Sequence, residues 1–213
     1  MATDNVVTVA FRLAFPEVFA PKAAAEGGKE KFSITMLFPK DGTRLLPGMV
    51  DNGADVMALR KLAFQAIKEK WGEDKTKWPA NLRGIDFAKY LSPTGKDGWP
   101  FRDGDDQTWD GFAESVFIRA SSQYKPGIVD AKAQPVISQD QVFGGLICRA
   151  QINAYAYDNS GNKGVTFGLS NLQILKDDGT TFSGRQNAAD VFGVFGDGDL
   201  QATGTDDDAA FFG

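Results

Sequence analysis

The sequence predicts a mainly β (α+β) protein, a small antiparallel barrel or sandwich of five strands with one helix. Several segments alternate apolar and polar residues with the period of two that is typical of half-buried strands. One segment alone has helical spacing, and strands do not alternate with helices as they do in parallel sheets. With 213 residues, 42% of them hydrophobic, the chain is long enough to bury one core.

The predicted strands are justified by their alternation and by the residues that bound them. Pro16 is expected to interrupt the first strand, and Pro39 ends the second. The turn-forming run 158–162 joins the last two strands into a hairpin. The five strands are expected at 7–15, 32–38, 116–120, 145–157 and 165–175.

The helix is expected over 53–71, where apolar residues at helical spacing share one face. Asp51 or Asn52 can cap its start, and Gly72 can end it. From 72 to about 112 no period holds. A loop of that length inside a compact domain is usually functional or disordered, and its aromatic content argues against disorder.

Charge is distributed unevenly along the chain. The net charge is −5, but all 23 basic residues lie in 1–185 together with 22 of the 28 acidic residues. Within that part, residues 60–102 hold ten basic and five acidic side chains. We therefore predict one domain over 1–185 and a flexible acidic tail over 186–213, which ends in the sequence DDDAAFFG.

The composition excludes several classes of function. Histidine is absent, which excludes histidine-based triads, general bases and metal ligands. A single cysteine, Cys148, excludes an internal disulfide and a cysteine-rich zinc site. The chain has no apolar run of 18 residues and no signal-peptide pattern, so we expect a soluble, intracellular protein that binds no membrane, metal or cofactor.

Basic residues interleaved with aromatic rings point to single-stranded nucleic acid as the ligand. Lys and Arg bind phosphates, and flat rings stack on bases at about 1–3 kcal/mol per base. We predict stacking on Trp78, Tyr90, Trp99, Tyr124, Tyr155 and Tyr157. We predict phosphate contacts from Arg12, Lys77, Lys89, Arg102, Arg119, Arg149 and Lys163. The alternative for each tryptophan is that it packs on the core.

The long strand at 145–157 contributes part of this prediction. Its polar face presents Arg149, Gln151, Asn153, Tyr155 and Tyr157 in an unbroken row. Guanidinium, amide and phenol groups together are typical of a surface that stacks on bases and hydrogen-bonds to them. The alternative is a face covered by the long insertion.

The tail combines three carboxylates, Asp206, Asp207 and Asp208, with two aromatic rings, Phe211 and Phe212. Such a segment is typical of a docking peptide for replication or recombination proteins, and its carboxylates can imitate phosphates in a basic groove. The alternative is a solvated tail that only keeps the protein soluble.

Several segments resemble one family. These are Gly27–Gly28 before KFSITMLFPK, the RDGDD turn, FIRASS followed by KPGIVD, and above all GGLICRAQINAYAYDNSGNKGVTFGLSNLQILKDDG. They are similar to tailed-phage single-stranded-DNA-binding proteins, formerly catalogued as a domain of unknown function, over roughly 8–193. The resemblance implies an oligonucleotide-binding (OB) fold. It also implies non-catalytic binding of single-stranded DNA in replication or recombination, in the cytoplasm of the infected bacterial host, with the tail for partner docking and autoinhibition.

Two other functions stay open at this point. Asp103, Asp105 and Asp106 could hold metal ions in a nuclease, although a capped turn explains the same residues. A phage structural or adaptor protein would use the tail for assembly and bind no DNA. The oligomeric state is also open, and a homo-oligomer is compatible with the sequence.

Overall fold

The computed structural model describes residues 2–23, 28–48, 51–159 and 161–182, and they are predominantly β. The strands in these ranges are β1 (Val6–Val7), β2 (Phe11–Ala23), β3 (Glu30–Pro39), β4 (Arg102–Asp103), β5 (Ser115–Ser122), β6 (Gly127–Val129), β7 (Ile147–Asn159) and β8 (Asn162–Lys176). The helices are α1 (Val56–Trp71) and α2 (Ala80–Arg83), with 3₁₀ turns at Lys75–Lys77 and Gln139–Gln141.

Five of these strands close into a ring. Strands β2, β3, β5, β8 and β7 pair in that order, and β7 pairs back to β2. All of these pairings are antiparallel except β5 with β8. Because five is an odd number, strand directions cannot alternate all the way round, and one parallel pair is required. The predicted five-stranded barrel is therefore confirmed, with this exception to its antiparallel order.

The barrel interior is apolar because inward positions recur with the period of two. Along β7 the buried residues alternate with partly exposed ones, and Cys148 and Ile152 are fully buried. Leu13, Met36 and Phe167 from other strands are equally buried. Burial also raises the pKa of the Cys148 thiol.

Helix α1 packs its buried face on β7 and β8. It begins one residue after Asp55, whose carboxylate accepts a hydrogen bond from the Ala58 amide at 2.8 Å. The predicted cap Asp51 instead accepts from the Ala10 amide at 2.7 Å. Gly72 ends the helix with φ 83°, as predicted. In the described ranges, no helix is both long and apolar enough to cross a membrane.

Strand β2 continues past Pro16, contrary to the prediction. Its pairing with β3 shifts register between Ala14 and Glu17 and again between Glu17 and Lys22. Such irregularities accommodate a residue that has no amide donor, because the ladder is interrupted there in any case. Phe15, beside the first shift, has a φ of 46°.

The insertion between α1 and β5 is packed onto the barrel by aromatic rings. Trp78 and Trp99 are each 1% exposed, and Phe87 contacts both, with ring centroids 5.8 and 4.9 Å away. The row continues through Phe101 to Phe167 in the barrel. Core packing accounts for both rings, so the burial does not favour the predicted stacking role of Trp78 and Trp99.

A second apolar cluster lies on the outer face of the sheet. It is built from Ala14 on β2, Leu37 on β3, Phe117 on β5, and Phe112, with Phe182 packed against it. Because side chains alternate across a strand, these residues point away from the main core. The cluster supports the segment between β4 and β5 on the outside of the barrel.

Candidate nucleic-acid interface

A groove of about 1200 Å³ crosses the outer face of the barrel. Cross-strand pairs show its course, since directly opposed residues share a face. Ala14 on β2 lies opposite Thr35 on β3, and Thr35 lies opposite Arg119 on β5. Beyond the parallel β5–β8 pairing, Thr166 on β8 lies opposite Tyr155 on β7. The groove therefore runs from β2 across β3, β5 and β8 to β7.

Every charged side chain that lines the groove in the described part of the chain is basic. They come from β3, the insertion, β4, β5 and the β7–β8 hairpin, and they are Lys31, Lys96, Arg102, Arg119 and Lys163. Three of the five were predicted as phosphate ligands. Positive charges lining one cleft attract a polyanion and raise its local concentration.

Two arginines lie on neighbouring strands of the groove. Arg119 is exposed, and its Nη2 donates to the Ser33 hydroxyl at 3.0 Å, which uses one of five N–H donors. The Arg102 guanidinium lies 4.6 Å from the centroid of the Phe117 ring. Burial lowers the pKa of Arg102 while Asp106 and Asp97 raise it, and an arginine stays charged at neutral pH. The Arg102 Nε has no hydrogen-bond partner among the described residues.

Two tyrosines form the β7 end of the groove. Tyr155 and Tyr157 are half-buried on the outer face of β7, opposite Thr166 and Gly164 of β8. A Cβ at residue 164 would lie 2.7 Å from the Tyr157 hydroxyl, so glycine makes room for the phenol. Burial raises the pKa of both tyrosines, with a smaller effect from neighbouring Tyr157 on Tyr155 and from Asp97 on Tyr157. Both rings are therefore neutral at physiological pH and do not repel phosphates.

The insertion forms one wall of the groove and is hydrogen-bonded to the β7–β8 hairpin. The Asn81 side-chain amide donates to the Asp97 carbonyl at 2.6 Å and to the Lys163 carbonyl at 3.0 Å. The Val165 amide donates to the Gly98 carbonyl at 2.9 Å. Gly98 has a φ of 79°, and a Cβ there would lie 2.3 Å from the Lys163 carbonyl oxygen, so this close approach requires glycine. The hairpin and the wall are thus held together.

Four groove residues with basic or half-exposed aromatic side chains were not among the predicted site residues, whereas the predicted Trp99 lines the groove as a buried ring. Lys31 and Lys96 add charge, and the rings of Phe15 and Trp109 are about half exposed in the groove. Phe15 belongs to an alternating apolar row in the sequence, which predicts a buried side chain. Its exposed position in the groove becomes visible only in the structure, where its backbone departs from strand geometry. Trp109 could have been found from its surroundings, since polar and turn residues flank it.

Other predicted phosphate ligands lie outside the groove. Arg12 forms a bidentate ion pair with Asp178 at 2.7 and 3.0 Å, and this hydrogen-bonded guanidinium holds the pKa of the Asp178 carboxyl well below its usual range. Arg149 donates from Nε to the Gln173 side chain at 2.8 Å. Lys77 is exposed on a 3₁₀ turn, and Lys89 lines a separate cavity.

The remaining predicted residues are also placed elsewhere or are not described. The Tyr90 hydroxyl donates to the Asp97 carboxylate at 2.6 Å, a hydrogen bond that raises the pKa of Tyr90. Tyr124 is 83% exposed but does not line the groove. The predicted tail residues, which are Asp206, Asp207, Asp208, Phe211 and Phe212, lie outside the described residues.

The acidic turn forms ion pairs instead of a metal cluster. The Lys40 ammonium contacts the carboxylates of Asp103 and Asp105. Asp105 also accepts a hydrogen bond from the Glu114 amide at 2.6 Å. Across the described ranges, no three His, Cys, Asp or Glu side chains are grouped to hold a metal ion. These contacts agree with the interpretation of 103–106 as a capped turn. The Lys40 ammonium occupies the position between the carboxylates where a nuclease would bind its metal ion.

Comparison with known proteins identifies a family whose model matches nearly the whole chain. The family model described as Enterobacter phage Enc34 ssDNA-binding protein matches residues 4–209. The chain belongs to this family. Protein p50 of Acyrthosiphon pisum secondary endosymbiont phage 1 is 31% identical over 174 residues, which cover 81% of this chain and 83% of p50. The resemblance seen in the sequence is thereby confirmed.

Solved structures share the fold. The single-stranded DNA-binding protein from bacteriophage Enc34, in complex with ssDNA, has a TM-score of 0.57 and 21% identity, covering 82% of this chain and 87% of that chain. The single-stranded DNA-binding protein gp2.5 of bacteriophage T7 has a TM-score of 0.53 and 11% identity, covering 88% and 99%. The fold is thus an OB-like five-stranded barrel, as the resemblance implied.

Proposed function

We propose that this protein binds single-stranded DNA with little sequence preference, through the groove, as a non-catalytic component of phage DNA replication or recombination. One observation carries the proposal. The chain has a net charge of −5, yet every charged side chain that lines the groove in the described ranges is basic. Membership of the Enc34 ssDNA-binding protein family supports the choice of ligand.

The proposed binding mode follows from the chemistry of the lining. Lysine and arginine bind the phosphates, and such contacts carry no base information, so affinity is largely independent of sequence. The rings of Tyr155 and Tyr157 stack on bases, which every base permits because each has a flat face. Base faces are covered in a duplex, so stacking favours single strands.

The same lining supports a binding protein over an enzyme. Among the described residues that line the groove there is no Asp, Glu, Cys or His. Divalent metal binding depends on such carboxylates, thiolates and imidazoles, and these groups are also the commonest general acids and bases. The groove instead offers cationic donors and aromatic rings, which hold a strand without cleaving it. We therefore assign no metal or cofactor to it.

The tail has a separate proposed role. We propose a division into a binding domain, 1–185, and an acidic tail, 186–213, that docks on replication or recombination proteins in the cytoplasm of the infected cell. The tail residues Asp206, Asp207 and Asp208 compete with phosphates for the basic side chains, while Phe211 and Phe212 supply apolar contacts. The opposite signs of charge in the groove and the tail support this autoinhibition.

A direct test measures fluorescence anisotropy of a labelled oligo-dT and of a duplex of equal length. We expect the single strand to bind more tightly, and Arg119→Gln to weaken binding about tenfold or more, as for a lost charge-assisted hydrogen bond. Arg149→Gln is the matched control, because Arg149 is also exposed and bonded to one polar side chain but lies outside the groove. Equal affinity for the duplex, or equal losses in both variants, would contradict the proposal.

A further inference from the structure

Two exposed aromatic rings meet at the β2 end of the groove. Phe15 is 45% exposed and Trp109 is 48% exposed, and both line the groove. Their ring centroids are 5.1 Å apart and the ring planes are inclined at 82°. Both rings also pack on Phe112, which is buried against Phe117. Exposed apolar side chains grouped in this way, in contrast to single ones, mark a binding surface.

The backbone of Phe15 is held in a conformation that bulky residues avoid. Its φ of 46° lies in the left-handed region, and it occurs where the pairing of β2 with β3 shifts register. A strained residue persists only where the surrounding structure imposes it, and such residues cluster at functional sites. The Phe15 ring is half exposed, so burial in the core does not account for the strain. The strained residue places its ring in the groove.

We propose that Phe15 and Trp109 form a base-stacking subsite, at the opposite end of the groove from Tyr155 and Tyr157. The proposal rests on the proposed function of the groove and specifies where bases are held. From β2 to β7 the groove crosses four strand spacings of about 4.8 Å each, which is roughly 19 Å. The arginines Arg102 and Arg119 lie between the two aromatic ends.

This arrangement matches the alternating chemistry of a single strand. Bases stack at both aromatic ends, and the phosphates between them contact the cations. The perpendicular contact between Phe15 and Trp109, and the buried Phe112 beneath both, hold the rings in place before the ligand arrives. Preorganised rings lose little conformational entropy on binding. A paired base cannot enter the subsite, so the subsite also contributes selectivity for single strands.

The test uses tryptophan fluorescence during titration of the full chain with oligo-dT. Trp71 and Trp78 do not line the groove, and Trp99 lines it with only 1% of its surface exposed, so Trp109 is expected to give most of the quenching. Trp109→Phe removes most of the quenching but keeps a stacking ring and most of the affinity. Trp71→Phe is the control and keeps the quenching.

Affinity measurements complete the test. We expect Trp109→Ala to weaken oligo-dT binding roughly tenfold or more, the range for one lost stack. Tyr124→Ala, which removes an exposed ring outside the groove, leaves affinity unchanged. Phe15→Asn weakens binding while the thermal midpoint is kept, because asparagine tolerates positive φ. If Phe15 had only a structural role, Phe15→Asn would lower the thermal midpoint and leave the DNA affinity of the folded protein unchanged.

The outcomes separate this subsite from the groove itself. If Trp109→Ala and Phe15→Asn bind normally while Arg119→Gln still weakens binding, the stacking subsite is refuted and the proposed function stands. If none of these variants changes the affinity, the groove is not the binding site and both proposals fail.

Discussion

The salt dependence of DNA binding can be derived from the number of cations in the groove. Each phosphate neutralised on a single strand contributes a slope of about −0.7 to log K against log salt. Five basic side chains line the groove, so we expect a slope of about −3.5. Lys163 already pairs with Asp158 at 3.0 Å, which brings the slope nearer to about −3 if that pair persists. Affinity should then fall roughly a hundredfold between about 50 and 200 mM salt.

Matched variants test whether the groove cations are responsible. Lys96→Ala and Arg119→Gln should each bring the slope about 0.7 closer to zero. Lys77→Ala is the control for the lysine, since Lys77 is exposed in the same insertion but does not line the groove. Its slope should equal that of the unchanged protein.

The assay is anisotropy of labelled oligo-dT at four salt concentrations, with each variant first shown to be folded by circular dichroism. A slope that is steeper than about −5 would mean that cations outside the groove also bind phosphates. A slope that stays the same in Lys96→Ala and Arg119→Gln, or that changes equally in Lys77→Ala, would refute the assignment of the groove.

Three further predictions concern the core, one ion pair and the tail. Trp78→Ala should lower the free energy of unfolding in urea by about 3–5 kcal/mol, while the folded fraction keeps its DNA affinity. Asp178→Asn should lower the thermal midpoint at pH 7. The pKa of Asp178 is lowered in the folded state, so its stabilising effect is full above the unfolded value of about 3.9 and is lost as pH falls further. The two proteins should therefore melt alike near pH 1. Deleting residues 199–213 should tighten DNA binding at low salt in the anisotropy assay, with a gain that shrinks as salt rises; an unchanged affinity would leave the tail a role in partner docking alone.

Much of the barrel could be predicted because alternation is a local property. Successive side chains of a strand point to opposite faces, so a strand with one face on the core has apolar residues at every second position. This pattern is visible in the sequences of β2, β3 and β7. The course of β2 beyond Pro16 could not be predicted, because irregular pairing with β3 decides whether a proline is tolerated. The parallel β5–β8 pair follows from ring closure with five strands, which no local pattern expresses.

The site could be predicted only where it lies on regular strands. Tyr155, Tyr157 and Arg119 follow from the alternation on β7 and β5, and the structure brings all three to the groove. In the insertion no period distinguishes a buried Trp99 from an exposed Trp109, since tertiary packing alone decides which ring is covered. Distant partners also decide which cations are engaged. Arg12, for example, is paired with a carboxylate 166 residues away.

The chain has a negative net charge and yet a basic groove, because its described carboxylates lie outside the groove. Many of them accept backbone amides at turns or at the start of α1, where they stabilise local structure and do not line the groove. Examples are Asp55, Asp74, Asp86, Asp130 and Asp177. At physiological salt, exposed charges more than about 8 Å apart are largely screened from each other. A phosphate in the groove therefore responds to the cations around it, and net charge alone is a poor guide to the ligand.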